Sequence, residues 1–285
     1  MKTKVLVTGA NGQLAQTIKV LYSANKENVQ FVFVNKNELD ITNYKEVSNF
    51  FSINNYDYCI NCAAYTNVEQ AEEFIELVFK INAEAVKNLA LLCKKHRTVL
   101  IHISTDYVFD GKEETPYLET DLTNPINQYG KSKLKGEQCI SNSLKEHFII
   151  RTSWLYSNYG KNFVKTIANK IKENSELKIT IAETGTPTSC IDLSSFLYYL
   201  ITTKSNKYGI YHFSNEGITT WYGFAVEIAK HFNSFDLKKI VPVEGFITKA
   251  RRPKYSVMSK DKILLNFKLS PNNWKDALSR VLETF

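Results

Sequence analysis

Tyr129 and Lys133 stand four residues apart in Tyr129-Gly130-Lys131-Ser132-Lys133. On a helix that spacing puts both side chains on one face. The pair suits proton transfer to a carbonyl oxygen: a phenol titrates near about 10, and a neighbouring ammonium stabilises the phenolate it leaves behind. A lysine so placed can also hydrogen-bond a cofactor ribose. The pattern arises easily in a chain with 16 tyrosines, and Tyr22 and Lys26 repeat it. That second pair falls at the far end of the first expected helix, which runs back towards the amino edge of the sheet, so it is assigned to the surface.

Context separates the two pairs. Thr105 lies in Ser104-Thr105-Asp106-Tyr107-Val108-Phe109-Asp110-Gly111, which begins where an apolar strand run ends. A hydroxyl at a strand end can hold a substrate oxygen while the tyrosine transfers its proton. Successive strand residues face opposite ways, so Thr105 is given that hydrogen bond and Ser104 a second contact. A turn cap is the plain alternative for Thr105.

Upstream, Gly9-Ala10-Asn11-Gly12-Gln13-Leu14-Ala15 joins the first apolar strand to the first helical pattern. Glycines here allow a tight turn and close backbone approach to a pyrophosphate seated on the helix N-terminus. Ala15 replaces the usual third glycine and is still small enough for close helix–strand packing.

The elements that must position these residues alternate. Strands are expected at Lys4–Thr8, Phe31–Val34, Tyr58–Asn61, Thr98–Ile103 and His147–Arg151. Helices are expected at Gly12–Ser23, Tyr44–Phe51, Ile75–Cys93 and Gln128–Cys139. Such βαβ alternation predicts an α/β fold with a doubly wound parallel Rossmann sheet, its ligands at the carboxyl ends of the strands. After Arg151 the pattern loosens, with helices near Phe163–Ile171, Leu193–Ile201, Trp221–Phe232 and Trp274–Leu282. Residues 1–151 are therefore read as the dinucleotide-binding part. Residues 152–285 are read mainly as a smaller C-terminal substrate-binding lobe, some of whose segments return to the first.

The second strand ends Val34-Asn35-Lys36-Asn37, with no carboxylate before Glu38. An acidic residue there would bind the ribose 2′-hydroxyl and repel a 2′-phosphate. Asn35 can donate to a phosphate and Lys36 can pair with it, so NADPH is expected as cofactor, with NADH also accepted. A solvated loop lysine is the bland alternative for Lys36.

At 285 residues, with 44% hydrophobic and 23% charged, the chain has material for a full core. No window approaches a membrane span of about 20 apolar residues, and the first apolar run is too short for a signal peptide. A soluble, cytoplasmic protein is expected. Five cysteines at irregular spacing argue against a secreted disulfide framework. Cys59 and Cys62 mimic a CxxC motif, yet on a strand they face opposite sides. The net charge of +7 is scattered. Its densest run, Lys94-Lys95-His96-Arg97, reads as a C-terminal helix turn complementing the helix dipole, without the interleaved aromatics that single-strand binding wants. No nucleic acid or membrane partner is expected.

Taken in order, these segments resemble the dTDP-4-dehydrorhamnose reductases within the extended short-chain dehydrogenases. The series runs through Val7–Leu14, Leu39-Asp40-Ile41-Thr42, Asn61-Cys62-Ala63-Ala64-Tyr65-Thr66, Ser104–Gly111, Tyr129–Lys133 and Arg151–Tyr156. It continues with Asn162–Thr166, Gly185–Thr188 and Arg252–Ser256. The resemblance implies NAD(P)H-dependent reduction of the C4 ketone of dTDP-4-dehydro-L-rhamnose, with Thr105, Tyr129 and Lys133 carrying catalysis. It implies that Gly9, Asn11, Gly12, Gln13 and Leu14 cradle the pyrophosphate, that Asp40 and Ile41 lie by the adenine, and that Ala63, Ala64 and Tyr65 line the cofactor. Thr66, Trp154 and Arg252 are implied for the nucleotide-sugar. Arg252 suits its diphosphate, and a core aromatic under the second lobe is the alternative for Trp154.

Departures carry information too. Ala182-Glu183-Thr184-Gly185 differs from the family's acidic residue and glutamine before glycine. Thr17 stands where some members carry a magnesium-binding glutamate, so no metal is expected, and a monomer or weak homodimer is. Tyr107 follows Thr-Asp where related dehydratases carry glutamate, which argues against dehydration. An epimerase that keeps its NAD, and a non-catalytic role like that of the methionine adenosyltransferase regulatory subunit, are the other readings. The intact Thr105, Tyr129 and Lys133 favour catalysis.

Overall fold

The computed structural model describes residues 2–24 and 28–284. Lys26, the lysine of the second tyrosine–lysine pair, lies outside the described residues. The first half runs β1 (Thr3–Thr8), α1 (Gln13–Tyr22), β2 (Val29–Val34), α2 (Tyr44–Ile53), β3 (Tyr58–Asn61), α3 (Val68–Ala71), α4 (Ile75–Phe79), α5 (Ala85–His96), β4 (Val99–Thr105), α6 (Gln128–Ser143) and β5 (His147–Thr152). The second half runs β6 (Leu155–Tyr156), α7 (Phe163–Lys172), β7 (Leu177–Thr180), β8 (Thr184–Gly185), β9 (Thr188–Ser189), α8 (Cys190–Thr202), β10 (Gly209–His212), β11 (Thr219–Thr220), α9 (Trp221–Lys230), β12 (Ile240–Val243), α10 (Asp261–Phe267) and α11 (Trp274–Leu282).

Six parallel strands form the central sheet in the order β10-β5-β4-β3-β1-β2. The order reverses between β1 and β3, which opens the crevice where such sheets bind ligands. Alternation along β1 feeds both faces. Val5 and Val7 enter a core with α1, α8 and α10, whereas Leu6 enters one with α2, α5 and α6. A strand covered by helices on both sides is apolar at most positions, which is why these strands read as short apolar runs without regular polar alternation. Cys59 and Cys62 follow the same rule: Cys59 sits in the α2–α5–α6 core and Cys62 packs against the other, and all five thiols are free.

One feature departs from sequence expectation. The helix expected over Ile75–Cys93 is broken, because a π-helical turn over Lys80–Glu84 separates α4 from α5. There Asn82 turns its side chain back to the loop after β3, accepting from Tyr65 N at 2.9 Å and donating to Tyr65 O at 3.0 Å. α6 lies so close that a Cβ on Gly136 would meet the Asn82 carbonyl at 2.3 Å. β10, four residues from the second half, extends the sheet beyond β5.

The rest of the second half has its own core of Tyr156, Val164, Ile167, Phe224, Ile228, Trp274 and Leu278. Short pairs β6–β9, β7–β12 and β8–β11 brace it. Among the described residues no helix is long and apolar enough to cross a membrane.

Candidate active site

A cavity of about 640 Å³ opens at the carboxyl ends of β1, β3, β4 and β5, between the sheet and the second core. It brings together Asn11, Gly12, Gln13, Leu14, Ala64, Thr66, Ser104, Thr105, Tyr129, Lys133 and Trp154. Gly9, Ala63 and Tyr65 are not among its lining residues; Gly9 packs on the Ala63 backbone. Lys36, Asp40 and Ile41 lie beyond the end of β2, where Ala10 N donates to Val34 O at 3.0 Å and ties the two loops together. Arg252 lines a neighbouring cavity of about 320 Å³ with Glu183, Phe163 and Phe246, and Trp221 borders both cavities.

The glycine loop has the geometry an anion needs. Gly9 has φ +68°, and a Cβ there would lie 2.8 Å from Ala63 N. A Cβ on Gly12 would lie 3.1 Å from the Gly9 carbonyl. Gly12 is the N-cap of α1, and no side chain caps the helix's first amides. Those amides and the positive end of the helix dipole fit a dinucleotide pyrophosphate. One expectation narrows here. The Gln13 side chain donates to Leu155 O at 3.1 Å and accepts from Asn162 at 3.3 Å, so it ties the loop to the second half.

Tyr129 and Lys133 project from the first turns of α6. Asn127 caps that helix, its side chain accepting from Gly130 N at 2.7 Å. Gly130 is required, because a Cβ would meet the Tyr107 carbonyl at 2.2 Å. Burial pushes the Tyr129 phenol up to about 12; a hydrogen bond with Thr105 opposes that and the Asp106 carboxylate adds to it. The group is therefore a neutral acid across physiological pH. Lys133 is buried, and burial brings its ammonium down to about 8 against the opposing pull of Glu137 and Cys62. Its Nζ donates to Ile103 O at 2.6 Å and lies 3.2 Å from His102 Nε2.

Thr105 ends β4 within the cavity; its hydroxyl donates to Asp106 at 3.0 Å and accepts from Tyr107 N at 3.2 Å. The turn cap and the cavity-facing hydroxyl thus coexist in one residue. Ser104 lines the cavity but donates to Glu137 at 2.5 Å, and Glu137 is paired with Arg151 at 2.7 Å in a buried ion pair. That proton is committed to the framework, which leaves Ser104 only acceptor capacity for a ligand.

Several residues escaped the sequence reading. Asp106 is buried with Oδ2 unpartnered, and burial raises it to about 6. Trp221 stacks on Trp154. Asn82 fixes the loop of Tyr65 and donates to Ser132 at 3.0 Å. Glu69 pairs with Arg252 at 2.5 Å. Only the Asp106 position, inside the quoted strand-end segment, carried a local signal; the others depend on contacts between distant segments.

A parallel sheet with a glycine-rich anion cradle, beside a tyrosine–lysine pair and a strand-end threonine, defines a nicotinamide-dependent oxidoreductase of the short-chain dehydrogenase class. The family model described as RmlD substrate binding domain matches residues 3–285. The dTDP-4-dehydrorhamnose reductase of Aggregatibacter actinomycetemcomitans is 35% identical, covering 98% of each chain. The crystal structure of the Bacillus anthracis dTDP-4-dehydrorhamnose reductase in complex with NADP is similar at 38% identity and TM-score 0.95, covering 100% of both chains. That of the Clostridium acetobutylicum dTDP-4-dehydrorhamnose reductase is similar at 39% identity and TM-score 0.93, covering 99% of both. The chain belongs to the dTDP-4-dehydrorhamnose reductase family.

Proposed function

We propose that the chain reduces the C4 ketone of dTDP-4-dehydro-L-rhamnose to give dTDP-L-rhamnose, with NADPH as cofactor. The observation that carries this reading is the convergence of Tyr129, Lys133 and Thr105 on one cavity whose far wall is the anion cradle at Gly12. When bound, the reduced nicotinamide supplies the hydride that reaches C4.

The protein's own groups do the rest. Tyr129 holds its proton at neutral pH and gives it to the C4 oxygen as negative charge develops there. Thr105 holds that oxygen beside the phenol. Lys133 stabilises the phenolate left behind and hydrogen-bonds the cofactor ribose. Gly9, Asn11, Gly12, Gln13 and Leu14 bind the pyrophosphate through backbone amides and close approach; Ala63, Ala64 and Tyr65 line the cofactor, and Asp40 and Ile41 lie by the adenine. Lys36 serves the 2′-phosphate. Thr66, Ser104 and Trp154 contact the sugar, and Arg252 the diphosphate.

In this reading residues 1–151 bind the dinucleotide and residues 152–285 mainly the sugar-nucleotide, while α8, β10 and α10 complete the first core. The protein works in the cytoplasm as a monomer or weak homodimer, without nucleic acid or membrane, and its five free cysteines accord with a reducing compartment. The test is NADPH oxidation followed against a panel of nucleotide-linked 4-keto sugars. Turnover greatest with dTDP-4-dehydro-L-rhamnose supports the reading; no turnover with any of them overturns it.

A further inference from the structure

Beneath Lys133 a chain of buried polar groups crosses the sheet. Thr8 ends β1, Asn61 ends β3, His102 lies on β4, and none of these or Lys133 is more than 2% exposed. Polar groups buried this deeply must satisfy one another, so each donor and acceptor can be assigned in turn.

The assignment starts from a backbone amide, which can only donate. Ala63 N donates to Thr8 Oγ1 at 3.4 Å. The single Thr8 hydroxyl proton then goes to Asn61 Oδ1 at 2.6 Å. The other end of the Asn61 side chain, its amide nitrogen, which can only donate, lies 3.0 Å from His102 Nδ1. Nδ1 must accept, so a neutral imidazole carries its proton on Nε2, the nitrogen that faces Lys133 Nζ at 3.2 Å. Neutrality follows from the surroundings. Burial, the Lys133 charge and then His147 hold this imidazole well below its ordinary range.

We propose that His102 is a positioning residue for Lys133, held as the Nε2–H tautomer by the Thr8–Asn61 chain, and that its N–H dipole disfavours the Lys133 ammonium. This rests on the reading of Lys133 as part of the proton-transfer machinery. The groups facing Lys133 are Glu137 from α6, Cys62 from the loop after β3, and His102 and the Ile103 carbonyl from β4, with Arg151 of β5 neutralising Glu137. Lys133 donates to Ile103 O; as an amine it can also accept from His102. The chain begins one residue before Gly9, so the root of the anion cradle and the protonation of Lys133 share one hydrogen-bonded line.

The test reads the tautomer directly. Long-range ¹H–¹⁵N spectra of histidine-labelled, cofactor-free protein are recorded, and the His102 signals are identified by their loss in His102→Gln. The expected result is a single Nε2-protonated imidazole that does not titrate over about pH 5 to 8, where exposed histidines do. An Nδ1–H tautomer, or protonation within that range, overturns the proposal. Thr8→Val, a small change remote from Lys133, is expected to give mixed tautomers at His102, and an unchanged tautomer contradicts the chain.

In His102→Gln the amide oxygen can accept from the ammonium. The alkaline limb of kcat is therefore expected to move up by roughly half a pH unit to one unit; no movement, or movement downward, counts against the proposal. Should Lys133→Met leave turnover intact, it is the functional reading that fails, whatever the tautomer.

Discussion

The indole of Trp154 lies flat on that of Trp221, with ring centroids 3.6 Å apart and planes 10° from parallel. Trp154 adopts φ +46°, a left-handed conformation that costs a bulky residue of order 1–3 kcal/mol. Gly185 makes room for it, since a Cβ there would sit 2.8 Å from the ring. Trp221 is the support that keeps this strained side chain at the cavity wall. In Trp221→Ala the KM for the sugar-nucleotide should rise about tenfold, with kcat changing less than about threefold. Steady-state kinetics decides; an unchanged KM removes Trp221 from the account.

Arg252 spends its guanidinium on Glu69 at 2.5 Å, an ion pair joining the second half to α3. If Arg252 binds the substrate diphosphate, Glu69 competes for it. The pair is partly exposed, so its worth is small. Glu69→Gln is expected to lower KM by about twofold to fivefold, and Arg252→Ala to raise it by about tenfold or more. A rise in KM for Glu69→Gln contradicts the competition.

Asp106 makes stability depend on pH. Its folded value of about 6 lies above the ordinary 3.8, because burial disfavours the carboxylate. Between those values the folded chain binds more protons than the unfolded one, so stability falls as pH rises through that window. Two units correspond to roughly 2–3 kcal/mol, all of it felt above about pH 6. Asp106→Asn, which cannot ionise, should melt at a higher temperature than the parent at pH 7.5 and lose that advantage by about pH 4. An advantage equal at both pH values contradicts the assignment.

The parts legible in sequence are those set by local pattern. Short, mostly apolar runs mark β1, β3, β4 and β5, because strands covered on both faces show no regular polar alternation; their polar members, among them His102 and Arg151, are buried and paired. Tyr129 and Lys133 are readable because helical spacing alone puts them on one face, and Gly9 because only glycine tolerates its turn. The π-helical turn at Asn82 was hidden by good helical periodicity on both sides, since its cause is the backbone of Tyr65 and the close approach of Gly136. Trp221 and Glu69 were hidden because nothing nearby in sequence marks their partners Trp154 and Arg252. Gln13 was placed by sequence at the phosphate, but its side chain is drawn to Leu155 and Asn162 by a contact between halves.

The end of β2 is less simple than its residues suggested. Glu38 folds back so that its carboxylate accepts from Asn35 N at 2.8 Å, which brings a negative charge to the strand end. Exposed Lys36 and the side-chain amide nitrogen of Asn35 oppose it. The NADPH preference should therefore be modest, within about tenfold to thirtyfold in kcat/KM. Lys36→Ala should narrow it and Glu38→Gln widen it, measured as the NADPH to NADH ratio of kcat/KM. No change in Lys36→Ala refutes its role at the 2′-phosphate.

The central claim is that Tyr129 protonates the C4 oxygen in a reductase. Its most direct test is single-turnover oxidation of bound NADPH by dTDP-4-dehydro-L-rhamnose in the parent and in Tyr129→Phe, with NADPH affinity measured alongside. The substitution removes one hydroxyl and leaves the packing of α6 in place. The expected result is rapid oxidation by the parent and a loss of several orders of magnitude in the variant, at unchanged NADPH affinity. A loss smaller than about tenfold, with the cofactor still bound, contradicts the account.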